Sequence, residues 1–228
     1  VSELADNQTN IGEAWLQWQG INFRITAGNQ QLDLPFLGNF DWRITPMIYQ
    51  AVDMQYGQGE DFLRATKVFR YKPWGSDTQG RYTQYDTSEP TSGMWSLGAG
   101  HHLNAGTAHL KGVVWYQSYS DYSNLFYTEG HSRWDNLPMA PDLGLQYIRG
   151  TGNGKNLAGP VNSNSIGWQV SLNLLPQLNW TLGYDYLSNN ANGYQYPLVT
   201  PYAHNASSGP YFAQPFFTST QDLGNGNA

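Results

Sequence analysis

The 228-residue chain contains no cysteine, and Asp, Glu, Lys and Arg together make up only 12% of it, about half the ~25% usual in soluble domains. Without cysteine, disulfide frameworks, thiol nucleophiles and cysteine-ligated zinc are excluded together. The gap also fits an oxidising compartment, where a stray thiol is a liability. No apolar run approaches the ~20 residues of a membrane-spanning helix, and mean hydropathy is −0.55, so a helical membrane protein is excluded. Basic charge is scarce: 11 Lys and Arg against 17 Asp and Glu give a net charge of −6. The basic residues form no stripe that could track phosphates, which argues against nucleic-acid binding.

Aromatics are abundant, at 15%, and they sit in a pattern. In residues 168–187 one face reads Trp168, Val170, Leu172, Leu174, then Trp180, Leu182, Tyr184, Tyr186, and the other Gln169, Ser171, Asn173, Thr181, Gly183, Asp185. A period of two means strands with one apolar and one wet face. A soluble sandwich would load its polar face with Lys and Glu, whereas this face is small and nearly neutral. The hairpin therefore reads as transmembrane, with lipid on one side and water on the other.

Strands of the same kind are predicted over 11–18, 21–27, 47–56, 61–70, 93–101, 107–118, 123–132, 141–150, 164–174, 179–188 and 211–220. Each is near the ~9 to 11 residues that a tilted strand needs to cross a bilayer. The connections alternate in length: 19–20, 56–60, 102–106 and 176–177 are short, while 28–46, 71–92, 151–163 and 189–210 are long and rich in Gly, Pro, Asn and Ser. Short turns on one side and long loops on the other characterise outer-membrane barrels. The alternation falters between 119 and 140, where the outer connection near Asp121 is tight and the inner one longer.

The expected fold is all-β, an antiparallel up-and-down transmembrane β-barrel, with residues 1–228 forming a single domain. Eleven strands cannot close a bacterial single-chain barrel, which uses an even number, and an open edge in lipid strands backbone groups at several kcal/mol each. The chain is thus expected to be part of a longer barrel. It opens at Val1 without a basic start and apolar stretch, so any secretion signal would lie upstream or be removed.

The segment 28–46, with Asp41, Arg43 and Pro46 in an Asp-x-Arg-x-x-Pro pattern, resembles a signature of the OprD-like family of substrate-specific outer-membrane porins. Residues 115–127, an aromatic strand turning tightly at Asp121 into a second aromatic strand, resemble that family again, and 142–149 and 164–187 follow in the expected order. The resemblance runs from about residue 11 to 220. Phe40 and Trp42 depart from the smaller polar neighbours expected around Asp41. The resemblance implies a barrel of about 18 strands, with long loops folded into a hydrated passage. Basic residues on one wall attract carboxylates, and acidic or polar groups opposite discriminate among solutes. Loop 28–46 would lie in the lumen, with Asp41 and Arg43 near its narrowest point. It further implies outer-membrane lipid and lipopolysaccharide as surroundings, a small carboxylate-bearing permeant such as an amino or aromatic acid, no cofactor, and a monomer or weak homotrimer.

Alternation places Arg24 and Lys111 on the wet face, because a basic group facing lipid at mid-depth costs about 2–4 kcal/mol. Asp53 and Asp185 are their candidate counter-charges, and Tyr49 joins them on the pore wall. Arg64 and Arg70 have opposite parity to Lys67, so a regular strand cannot turn all three inward; the reading puts mid-strand Lys67 inside and the two arginines at the rims. Arg149 shares parity with Leu145 and Tyr147 and belongs at the outer rim. Trp18, Trp95, Trp168, Trp180 and Tyr186 suit interfacial girdles, with sugar-stacking platforms as the alternative. Asp41 and Arg43 equally suit a loop hydrogen-bonded to itself.

Enzyme signals are poor. His101 and His102 point to opposite faces of a persisting strand, wrong for joint metal ligation. The glycines at 150, 152 and 154 follow a strand but precede no helix pattern, so a phosphate loop is not supported. Two other functions compete with a passive channel: a soluble all-β carbohydrate-binding module, and a plugged barrel with a structural or adhesive role.

Overall fold

Strict alternation over twelve-residue stretches, broken by glycine-bearing turns, leaves the backbone one good solution, a continuous antiparallel meander. The computed structural model describes residues 12–38, 46–73, 76, 78–85, 88–189, 198–202, 210–213 and 226–227. Ten long strands follow one another in chain order: β1 (Ala14–Gln19), β2 (Phe23–Gln30), β3 (Ile48–Gln58), β4 (Asp61–Lys72), β5 (Met94–Ala105), β6 (Ala108–Tyr119), β7 (Ser123–Trp134), β8 (Asp142–Gly152), β9 (Asn162–Leu175) and β10 (Leu178–Asn189). A two-residue β11 (Gly226–Asn227) pairs with β10. Every strand bonds its sequence neighbours, and the described residues form an open sheet.

All ten strands fall where the alternation predicts them, most of them one to three residues longer and β1 shorter. The eleventh predicted strand, 211–220, is not confirmed: residue 211 is irregular, 212–213 form a turn, and the rest lie outside the described residues. The connections alternate as expected. Turns at 20–22, 59–60, 106–107 and 176–177 are short and, with 135–141, lie at one end of the sheet; the longer connections that follow β2, β4 and β8 leave from the other. The predicted irregularity is present too. The outer connection at Ser120–Tyr122 is tight because Asp121 adopts φ 66°, a left-handed conformation that Asp tolerates better than most residues, and its carboxylate accepts the Lys155 amide at 3.2 Å.

Register divides the sheet into two faces. Leu63, Leu97, Leu145, Ile166 and Leu182 share one face and are exposed, with Trp95, Trp180 and Tyr186 near strand ends on the same side and Trp168, expected at an end, in the middle of β9. The opposite face carries Thr26, Asp53, Thr66, Ser96, Gln117, Gln146 and Ser165, all buried. Loop segments fold onto that second face, which is therefore the inward one. There Leu32, Leu34, Phe36 and Leu37 form a core with Tyr49, Tyr71, Tyr119, Tyr122 and Tyr202 near the long-loop end.

The wall makes room for large inward side chains by omitting others. Gly98 faces Trp115 and Gly100 faces Phe62 across their ladders, and a Cβ on either glycine would collide with the opposite ring. The two rings lie against each other with centroids 5.6 Å apart.

Candidate functional site

The inward wall is built around Asp53. It lies at 2% exposure on β3, opposite Thr26 on β2 and Thr66 on β4. Thr66 Oγ1 donates to Asp53 Oδ1 at 2.7 Å. Arg64, two residues along the same face of β4, donates from Nε to Oδ1 at 2.9 Å and from Nη2 to Oδ2 at 3.2 Å. Arg24 on β2 stands 3.7 Å from Asp53 Oδ2 and donates to Gln55 Oε1 at 3.1 Å. Two guanidiniums around one carboxylate leave one net positive charge on this stretch, and the Arg24 side chain, 40% exposed, carries it to the open side.

Arg24, Asp53 and Lys111 thus lie on the inward face, as alternation requires, with Lys111 Nζ 3.9 Å from Glu60. Asp185 also points inward but is fully covered: segment 210–213 lies over it, and the Ala213 amide donates to its Oδ2 at 2.6 Å. Phe212 lies on a floor of Gly144, Gly167 and Gly183. Asp185 has no ion pair among the described residues, so it is not the counter-charge expected for Arg24 or Lys111.

Two expectations are corrected. Lys67 faces outward, opposite Val52 and Trp95, because Thr66 and Arg64 take the inward positions on Asp53. Its amine reaches back to Ser92 O at 3.0 Å and lies 5.8 Å from the Phe69 ring centre, as a lysine stem snorkels along apolar surface. A β-bulge shifts the register between Gln50 and Ala51, where Phe69 has no partner on β3. Beyond it Arg70 pairs with Gln50 and also turns outward, so Arg64, held to be at a rim, is the one inward cation of the three. Tyr49 faces inward but is 0% exposed. Its hydroxyl lies 3.1 Å from Gly38 O and 3.3 Å from Tyr202 O, so it anchors loops and offers no surface to a solute, against the expectation of a pore-wall residue. Arg149 lies on the outward face, donating to Ser163 O at 3.1 Å.

Asp41 and Arg43 lie outside the described residues. The described part of their loop does fold inward. Gln117 Nε2 donates to Pro35 O at 2.6 Å, Tyr119 OH to Phe36 O at 3.2 Å, and Arg64 Nη1 to Asp33 O at 3.2 Å. Phe36 meets Tyr127 and Tyr211 edge-on, at 5.9 and 6.1 Å, which brings segments 31–38 and 210–213 together over the wall. Residues 198–202 complete the cover: Ser123 Oγ donates to Val199 O at 2.6 Å, and burial pushes the Tyr202 phenol well above its usual range.

His101 and His102 take opposite faces, opposite Gly112 and Lys111. Both nevertheless reach the Asp61 carboxylate, at 2.7 and 2.6 Å, because Asp61 sits at the strand end, beyond the last β4–β5 ladder pair, where neither face is closed. The sequence reading did not single out the inward series Glu129, His131, Arg133 on β7 and Asp142 on β8. The signal was available: the three β7 residues share the parity of buried Leu125 and Tyr127.

An open meander with an apolar outward face, a polar inward face, short turns at one end and inward-folded loops at the other is the wall of an outer-membrane-type β-barrel. Solved structures of this kind are similar to the chain. The outer membrane protein OpdK from Pseudomonas aeruginosa matches with a TM-score of 0.66 and 15% identity, over 76% of this chain and 47% of that one. OpdL from the same organism matches at 0.65 and 16%, over 88% and 55%. A BenF-like porin from Pseudomonas fluorescens Pf-5 matches at 0.67 and 12%, over 78% and 46%. At these identities the likeness establishes the fold, that of the Occ and OprD-like porins, and the chain spans about half the length of the structures it matches. No protein-family model matches the sequence, and no curated protein does.

Proposed function

We propose that the chain forms part of the wall of a bacterial outer-membrane porin that lets small solutes, carboxylates above all, diffuse passively through a loop-narrowed, hydrated passage, without enzymatic chemistry. The observation that carries this reading is the Asp53 cluster. Its two arginines exceed its one carboxylate, and the surplus charge is displayed by Arg24 on the inward face. A positive wall in a low-dielectric passage concentrates anions, and binding by one half-exposed guanidinium stays weak enough to permit exit. OpdK has been crystallised with vanillate, an aromatic carboxylate, which supports the same solute class here. The exposed apolar outward face speaks against a soluble carbohydrate-binding module, because a patch of this extent is not left in water.

Liposome swelling with benzoate, amino acids and neutral sugars tests the reading. Carboxylates should enter faster than sugars of equal size, and Arg24→Ala should lower carboxylate entry several-fold while leaving sugars unchanged. Equal loss for both classes, or none, overturns the carboxylate preference. The inward cover by segments 31–38, 198–202 and 210–213 favours one second reading, a plugged structural barrel. It predicts no steady ion current across a planar bilayer.

A further inference from the structure

At the short-turn end of the inward face, two successive rungs of the ladder are dominated by titratable groups. One runs His102, Lys111, His131; the next runs Asn104, His109, Arg133, Asp142. They line a cavity of about 390 Å³ to which no side chain of the Asp53 cluster contributes, and Phe212 of the inward-folded segment 210–213 stands beside it.

Every imidazole in the cavity has a carboxylate beside it. His102 Nδ1 lies 2.6 Å from Asp61, and His109 Nε2 lies 3.2 Å from Asp135. His131 stands between Glu129 at 2.9 Å and Asp142 at 3.2 Å. Arg133 holds Asp135 at 2.7 Å, and Lys111 is 3.9 Å from Glu60. The remaining neighbours are uncharged or lie across the sheet: Asn104 Oδ1 is 2.6 Å from His109 Nδ1, the Phe212 ring stands edge-on to His131 at 5.6 Å, and His101 shares Asp61 from the outward side. Two fixed cations therefore face five carboxylates. With neutral imidazoles the cluster carries three net negative charges, and with His102, His109 and His131 protonated it carries none.

We infer that His102, His109 and His131 determine the ion preference of this mouth, making it cation-preferring when they are neutral and indifferent when they are protonated. Imidazole is the side chain whose charge changes between about pH 5 and 8. A wall that changes by three charges alters the local ion concentrations that feed the passage. The inference rests on the channel reading and adds to it a proton-dependent selectivity at the end opposite the loop constriction.

The test is the reversal potential of the protein in planar bilayers under a KCl gradient, at about pH 8 and about pH 5.5. The K⁺ to Cl⁻ permeability ratio should fall about threefold on acidification at about 0.05 M salt, and the change should shrink near 1 M, where screening is ~3 Å. The triple variant H102Q/H109Q/H131Q should show no change between the two pH values. The single variant H109Q, at an exposed position, should lose part of the change and guards against a folding defect in the triple. A flat ratio in the wild type, or an undiminished change in both variants, overturns the inference while leaving the channel reading standing. Absence of any current overturns both.

Discussion

Arg64 grips Asp53 with two hydrogen bonds, Nε to Oδ1 at 2.9 Å and Nη2 to Oδ2 at 3.2 Å, across the β3–β4 ladder. The Asp53 side chain is 3% exposed and that of Arg64 17%, so each is the other's main compensation for lost hydration.

Removing one partner should therefore cost more than a surface ion pair does. Asp53→Ala leaves two guanidiniums without their carboxylate and should destabilise the protein by about 3–5 kcal/mol. Asp53→Asn should cost less, because its amide oxygen can still accept from Thr66. Urea unfolding in lipid vesicles checks both, and a loss below about 1 kcal/mol for the alanine variant would show the pair to be dispensable.

The two faces predict opposite tolerance to charge. Leu145 is outward and 68% exposed, and Leu145→Arg should destabilise by about 2–4 kcal/mol if the residue meets lipid at mid-depth. Lys67→Met, on the same face but beside the long loops, should stay within about 0.5 kcal/mol of the parent. Equal effects in vesicle unfolding would contradict the assignment of faces.

Gly98→Val drives a branched side chain into the Trp115 ring and should cost about 1–3 kcal/mol by overpacking. Gly112→Val, on the outward face with only Glu129 O at 3.6 Å, should be tolerated. Thermal unfolding of the two variants side by side is the check.

Tyr49→Phe removes the hydroxyl that lies between Gly38 O and Tyr202 O, a loss of about 1 kcal/mol. Segment 31–38 should then open more often. Hydrogen exchange at the Leu34 and Leu37 amides, each bonded to the other's carbonyl at 3.0 Å, should quicken roughly fivefold.

Strand positions were legible in the sequence because period-two alternation is a local property, carried by residues such as Leu145, Tyr147 and Arg149 without reference to their neighbours. The alternation of turn lengths was legible for the same reason. The inward cluster was only partly so. Arg24 and Asp53 follow from parity, but the choice among Arg64, Lys67 and Arg70 depends on where a bulge falls, and nothing local marks Phe69 as the residue that drops out of register. Tyr49 and Asp185 were misjudged for another reason. Their direction is set by the strand, but their access is set by segments 31–38, 198–202 and 210–213, which pack against the wall from far along the chain. The series Glu129, His131, Arg133 was readable by parity, yet each residue alone resembles an ordinary solvated charge.

The glycines opposite Trp115 and Phe62 have a consequence for the thickness of the wall. Because Gly98 and Gly100 leave shallow recesses in the wall, the two bulkiest rings on this stretch can recline along the barrel surface instead of standing across its axis. How far these rings reach from the wall is therefore governed by the backbone opposite them. Filling either recess with a side chain would lift the ring off the wall and tip it towards the interior.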